Sequence, residues 1–105
     1  MAVQSIHHQT FSKLLEGDVP VLVDFWAPWC GYCRRIAAPY EKIADQYGDR
    51  VQVVKINIDE EPALAEAQNI DLIPTLILYR NGEAAASIVA PESKAAIDRF
   101  LQEHL

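Results

Sequence analysis

Val19-Pro20-Val21-Leu22-Val23-Asp24-Phe25-Trp26 runs without a break into Ala27-Pro28-Trp29-Cys30-Gly31-Tyr32-Cys33. The first half is rich in β-branched and aromatic residues and predicts a strand over 19–26. The second half holds the only two cysteines of the chain. From Cys33 onward, Ile36, Ala37, Tyr40, Ile43, Ala44 and Tyr47 recur at helical spacing. A strand therefore feeds a helix with two thiols at its start. Side chains three apart on a helix have Cβ atoms roughly 5–6 Å apart. A disulfide needs about 3.8 Å, so the pair closes with a small adjustment. Cys30, just before the first turn, faces unpaired backbone N–H groups and the positive end of the helix. Both favour the thiolate, which is the nucleophile of disulfide exchange. Cys33 lies one turn in and is expected to be less exposed.

Outward from this stretch, strands and helices alternate. Val3 to Ile6 predicts a short first strand. Thr10 is the expected N-cap of a helix that turns Phe11, Leu14 and Leu15 inward and stops at Gly17. Pro39 predicts a kink in the helix that follows the cysteines, and Gly48-Asp49 its end. Val51 to Ile58 reads as a central strand. Pro62 suits a first helical turn that runs to about Gln68, with Asn69 in the left-handed closing position. Thr75 to Arg80, Asn81-Gly82 and Glu83 to Val89 read as a hairpin with a two-residue turn. Ser93 caps a last helix with Ala96, Ile97, Phe100 and Leu101 inward. The order β-α-β-α-β-α-β-β-α predicts an α/β fold: a mixed central sheet of about five strands flanked by four helices.

A chain of 105 residues, 50% of them hydrophobic, is read as a single domain, 1–105, with one sizeable core. Its 9 basic and 15 acidic residues give a net charge of −6, which disfavours nucleic acid and anionic membranes. No apolar run approaches the ~20 residues that cross a bilayer. The start, Met1 to His8, lacks a basic end followed by an apolar stretch, and the chain reads as cytoplasmic. In a reducing compartment, cysteines at this spacing are a metal or catalytic site sooner than a structural staple. A zinc site needs four ligands. His7, His8 and His104 lack ligand spacing to the pair and read as surface residues. No metal and no cofactor are expected.

Several separated motifs then stand in a characteristic order: Val21-Leu22-Val23-Asp24-Phe25-Trp26-Ala27, Trp29-Cys30-Gly31-x-Cys33, Asn57-Ile58-Asp59, Ile73-Pro74-Thr75 and Asn81-Gly82-Glu83. Over nearly its whole length the chain resembles the thioredoxin family. The resemblance implies the thioredoxin fold and a dithiol that reduces protein disulfides. In this reading Cys30 attacks, a mixed disulfide forms, and Cys33 displaces the reduced substrate. An NADPH-linked thioredoxin reductase is implied as the partner that restores the dithiol, with disulfide-containing proteins as substrates. A monomer is the default.

The same resemblance assigns further residues. Asp24 reads from its residue type as a charge at a strand edge. Its apolar neighbours Val23 and Phe25, with the family match, favour burial, a raised pKa and a part in taking the Cys33 proton. Lys55 matches the family lysine near that carboxylate, and a solvated Lys55 stays an open alternative. Pro74 matches a cis proline beside the dithiol, with Ile73 and Thr75 around it. Trp29 is the apolar wall of the expected substrate groove, and Trp26 is core or a support beneath the loop.

The chain departs from the family pattern at three places. Tyr32 stands where proline is common, between Gly31 and Cys33, and restores an N–H donor near Cys30. Gly31 and Tyr32 are therefore expected to tune the redox potential, with Tyr32 making the couple more oxidising. Pro39 comes one place later than is usual. Val89-Ala90-Pro91 stands where Val-Gly is usual, so the Ala90 methyl is expected to narrow the set of partners. Two alternatives accompany the reductase reading. One is a more oxidising exchanger or isomerase. The other is a binding module whose cysteines hold a metal or dock a partner.

Overall fold

Strand parity decides which side chains meet in this fold. The computed structural model describes residues 3–105; Met1 and Ala2, at the head of the expected leaderless start, lie outside it. Its elements are β1 (Gln4–Ser5), α1 (His8–Leu15), β2 (Val21–Trp26), α2 (Gly31–Arg35), α3 (Ala37–Tyr47) and β3 (Gln52–Asn57). They continue with α4 (Pro62–Ala67), β4 (Thr75–Arg80), β5 (Glu83–Val89) and α5 (Lys94–His104). Among the described residues the sheet has five strands in the order β1-β3-β2-β4-β5. β1 and β2 run parallel to β3, while β4 is antiparallel to β2 and to β5. This is the mixed sheet expected of the thioredoxin fold.

Successive residues of a strand face opposite sides. In β2, Val21, Val23 and Phe25 join one core with Phe11 of α1 and Ile56 of β3. Leu22 points the other way, into a core with Tyr40 and Ile43 of α3 and Ile97 and Leu101 of α5. Ile43, Ile97 and Leu101 are completely buried, each contributing about 1.5–3 kcal/mol. Asp24 shares the parity of Leu22, so the sheet turns it toward α3. Register then sets Lys55 of β3 directly beside it.

The hairpin has the expected bounds, and its turn residues Asn81 and Gly82 have φ of 54° and 81°, as a primed two-residue turn requires. Asn69 takes φ 60°, Pro62 opens α4, and Ser93 Oγ accepts the Ala96 N–H at 3.2 Å.

Three local expectations are corrected. The predicted single helix after the cysteines is two helices, so the described residues hold five helices where four were expected. The chain breaks at Ile36, one turn before Pro39. Pro39 has no N–H for the Arg35 carbonyl and its ring crowds that carbonyl, so α2 ends there and α3 restarts with Pro39 in its first turn. Ala37, expected inward, is exposed as a result. The cap of α1 is His7, and Thr10 lies inside the helix. The Glu61 carboxylate accepts the His8 N–H at 3.1 Å, satisfying that helix end from across the fold.

Candidate active site

The sequence between β2 and α2 is a turn that delivers a cysteine to a helix end. Cys30 N–H donates to Ala27 O at 3.1 Å, and Cys30 takes the extended N-cap conformation, φ −85° and ψ 109°. Its Sγ accepts the Cys33 N–H at 3.1 Å. The donor to that sulfur is thus the amide of Cys33. α2 has only five residues, so this direct N–H contact carries more of the electrostatics than a helix dipole would. Cys30 and Cys33 are joined as a disulfide with Cα atoms 5.2 Å apart, within the ordinary range. Cys30 is 9% exposed and Cys33 3%, so an incoming group reaches Cys30 first. Gly31 is exposed.

Ile73, Trp26, Tyr32 and Ile58 pack against the two cysteines. Trp29 is 65% exposed, and its indole N–H donates to Asp59 Oδ2 at 2.9 Å. Asp59 is placed in turn by its own N–H donating to Asn57 Oδ1. Sequence reasoning gave Asp59 no role, although the Asn57-Ile58-Asp59 motif was the available signal. On the opposite side, the Ile73–Pro74 bond is cis, and Cys30 Sγ lies 3.9 Å from Ile73 O. Thr75 Oγ1 donates to Leu72 O at 2.5 Å. The Leu72 side chain is 65% exposed beside it, an apolar surface that the sequence reading missed. Ala90 closes this edge: its N–H donates to Pro74 O at 2.8 Å, and its φ is 47°. That left-handed region suits glycine and crowds a Cβ. Tyr32, half-buried, extends away from the sulfurs and donates its hydroxyl proton to Pro91 O at 2.9 Å.

Beneath Cys33 lies a cavity of about 70 Å³ lined by Asp24, Trp26, Lys55, Tyr40 and Glu41. Its wall is mostly apolar, with Asp24, Glu41 and Lys55 among its charged groups, and it is large enough for a water molecule. Asp24 is buried, and its Oδ1 has no partner among the described residues. Burial raises its carboxyl to about 7, with the Lys55 charge pulling in the opposite direction. Lys55 is half-buried, its ammonium 4.8 Å from the Trp26 ring centroid. The structure therefore brings Asp24, Lys55 and Cys33 around one space, with Trp26 as its wall. Glu41, unanticipated here, holds the Val3 N–H with both carboxylate oxygens, at 3.0 and 2.9 Å. His7 and His8 sit on Glu61. Among the described residues, no group of three or more histidines, cysteines and carboxylates is arranged to hold a metal.

The family model for thioredoxin matches residues 2–103. The chain belongs to the thioredoxin family. Curated relatives agree over most of their own length. It is similar to thioredoxin 1 of Synechococcus elongatus, 45% identical over 89% of this chain and 87% of that one. It is 42% identical to thioredoxin 1 of Nostoc sp. over 99% and 98% of the two chains. It is 48% identical to the thioredoxin of Acidithiobacillus ferridurans over 90% and 87%. With the paired cysteines in place, the chain is a thioredoxin-type thiol–disulfide oxidoreductase. Among the described residues, no helix is long and apolar enough to cross a membrane.

Thioredoxin architecture explains how the predicted residues meet although they are scattered along the chain. Trp29, Cys30, Gly31, Tyr32 and Cys33 come from the β2–α2 turn and α2. Ile73, Pro74 and Thr75 come from the entry to β4, and Ala90 from the exit of β5. These strands are neighbours in the order β2-β4-β5, so their ends lie side by side. Asp24 and Lys55 approach the same disulfide from below, through the face of β2 and β3 that α3 covers.

Proposed function

We propose that this chain, acting as a single domain, reduces disulfides of protein substrates, with Cys30 as nucleophile and Cys33 as resolving thiol. The observation that carries this reading is the Cys30 sulfur: the more exposed of the pair, and hydrogen-bonded by the Cys33 N–H. That donor stabilises a thiolate. The thiolate attacks one substrate sulfur, forms a mixed disulfide and expels the other as a thiolate. Asp24, as carboxylate, accepts the Cys33 proton through water in the cavity they share. The Cys33 thiolate then attacks Cys30, releasing the second substrate thiolate and leaving the Cys30–Cys33 disulfide. Two electrons pass from the dithiol to the substrate. Lys55 lowers the cost of the charged Asp24. Trp29, Ile73, Pro74, Thr75 and Ala90 bound the groove that receives the substrate, and Gly31 and Tyr32 tune the potential.

Regeneration needs an outside dithiol, supplied in our reading by an NADPH-linked thioredoxin reductase. A reducing compartment such as the cytoplasm and a monomeric state fit a protein that must present this groove to many partners. The amide contact to Cys30 also favours a second reading, a more oxidising exchanger. Insulin reduction driven by dithiothreitol tests the activity, and a glutathione redox titration separates the two readings. Trapping with Cys33→Ser tests the order of attack: mixed disulfides are expected on Cys30. Adducts formed equally well by Cys30→Ser would overturn the assignment.

A further inference from the structure

Tyr32 lies between the two cysteines, yet its hydroxyl is spent elsewhere. The ring packs between the dithiol cluster and the core beneath α3 and α5, with the Arg35 guanidinium 5.6 Å from its centroid. The hydroxyl reaches the loop after β5, 2.9 Å from Pro91 O and 3.4 Å from Ala90 O. A tyrosine has one proton to give, and the shorter contact takes it.

The recipient loop contains Ala90 at φ 47°. A free loop would not hold an alanine there, because its Cβ crowds the backbone. Ala90 is gripped from both sides. Its own N–H donates to Pro74 O at 2.8 Å, and the next carbonyl accepts from Tyr32. The corner is thus tied to the groove on one side and to the dithiol helix on the other. Val89, 49% exposed, precedes it as an apolar lip.

We propose that the Tyr32 hydroxyl is a strut that holds the Ala90 corner left-handed, and that this corner is an edge against which an extended polypeptide substrate aligns its disulfide with Cys30. Tyr32 is then a positioning residue that acts through Ala90. A small aromatic disulfide is too short to use this edge, so the strut selects for polypeptides. The kinetic part of this inference rests on the oxidoreductase reading given above.

Tyr32→Phe keeps the ring and removes the strut. Amide exchange at Ala90 N–H, followed by NMR on the oxidised protein, should accelerate roughly tenfold as the corner loosens. The ratio of kcat/KM on insulin to kcat/KM on dithiobis(nitrobenzoate) should fall about three- to tenfold, the equivalent of one neutral hydrogen bond. The fall should appear in KM for insulin. In an Ala90→Gly background the left-handed corner no longer depends on the strut. There Tyr32→Phe should change the ratio less than about twofold. Unchanged exchange at Ala90, equal losses on both disulfides, or the same loss in both backgrounds would each overturn the proposal. Wild-type protein inert toward both disulfides would instead count against the oxidoreductase reading, and exchange at Ala90 would still decide the strut.

Discussion

Replacing Asp24 by asparagine removes a charge that the fold holds at a cost. The carboxyl is buried, with one oxygen unpartnered among the described residues, and burial lifts it from 3.8 to about 7. In the unfolded chain it titrates near about 3.9. Between these values the native state carries a proton that the unfolded state has lost. Stability therefore falls as pH rises through this window and levels off above about 7. Each pH unit corresponds to about 1.4 kcal/mol, and the whole window to about 4 kcal/mol. Asn has no proton to lose. Asp24→Asn should match the wild type near pH about 4 and exceed it by about 4 kcal/mol at pH about 8. Urea unfolding of the oxidised protein across that range, at unchanged m, measures the gap. A gap independent of pH, or one that shrinks with rising pH, would refute the account by burial. The gain in stability should come with a loss in chemistry. Wild-type resolution of a mixed disulfide should slow as pH falls below about 7 and Asp24 becomes protonated. The variant should be slower and lack that inflection, as rapid-quench measurements on a trapped substrate would show.

Tyr32→Pro leaves the Cys33 N–H contact to Cys30 in place and should make the potential more negative in a glutathione titration; no change or the opposite sign would reject a tuning role for Tyr32. Ala90→Gly relieves a left-handed alanine but loosens the unfolded chain, so urea unfolding should show a net gain of no more than about 1 kcal/mol. Ile97→Ala empties a completely buried position between α5 and the sheet and should cost about 2–5 kcal/mol in the same assay. Asp59→Ala frees the Trp29 indole N–H, so the fluorescence anisotropy of an otherwise Trp26→Phe protein should fall.

What could be read in advance was what neighbouring residues decide among themselves. Asn81-Gly82 needs positive φ at both positions and has it. Ser93 found its own helix amide, and Pro62 opened α4. The paired cysteines were legible for the same reason, since their spacing and the helix start are local. The rest was settled by partners from elsewhere in the fold or by the helix ladder itself. Thr10 looked like the cap of α1, but Glu61, far along the chain, supplies the acceptor one turn earlier. The Pro39 kink was anticipated, but its place depended on the Arg35 carbonyl, which yields more readily than the proline ring. Trp29 was assigned to the groove without the Asp59 that orients it.

Tyr32 shows most clearly how far local chemistry reaches. Read along the chain, it differs from proline by an N–H, although the sulfur takes its hydrogen bond from the next amide, that of Cys33. Read in space, its hydroxyl binds a loop that begins with another departure from the family pattern, Ala90 in a glycine's conformation. Neither departure by itself suggests the other. Proline at position 32 would leave Pro91 O without this donor, and glycine at position 90 would need less restraint. The residues therefore make physical sense as a pair, so their effects should be non-additive. An additive double-mutant cycle would mean that the two positions merely lie near one another.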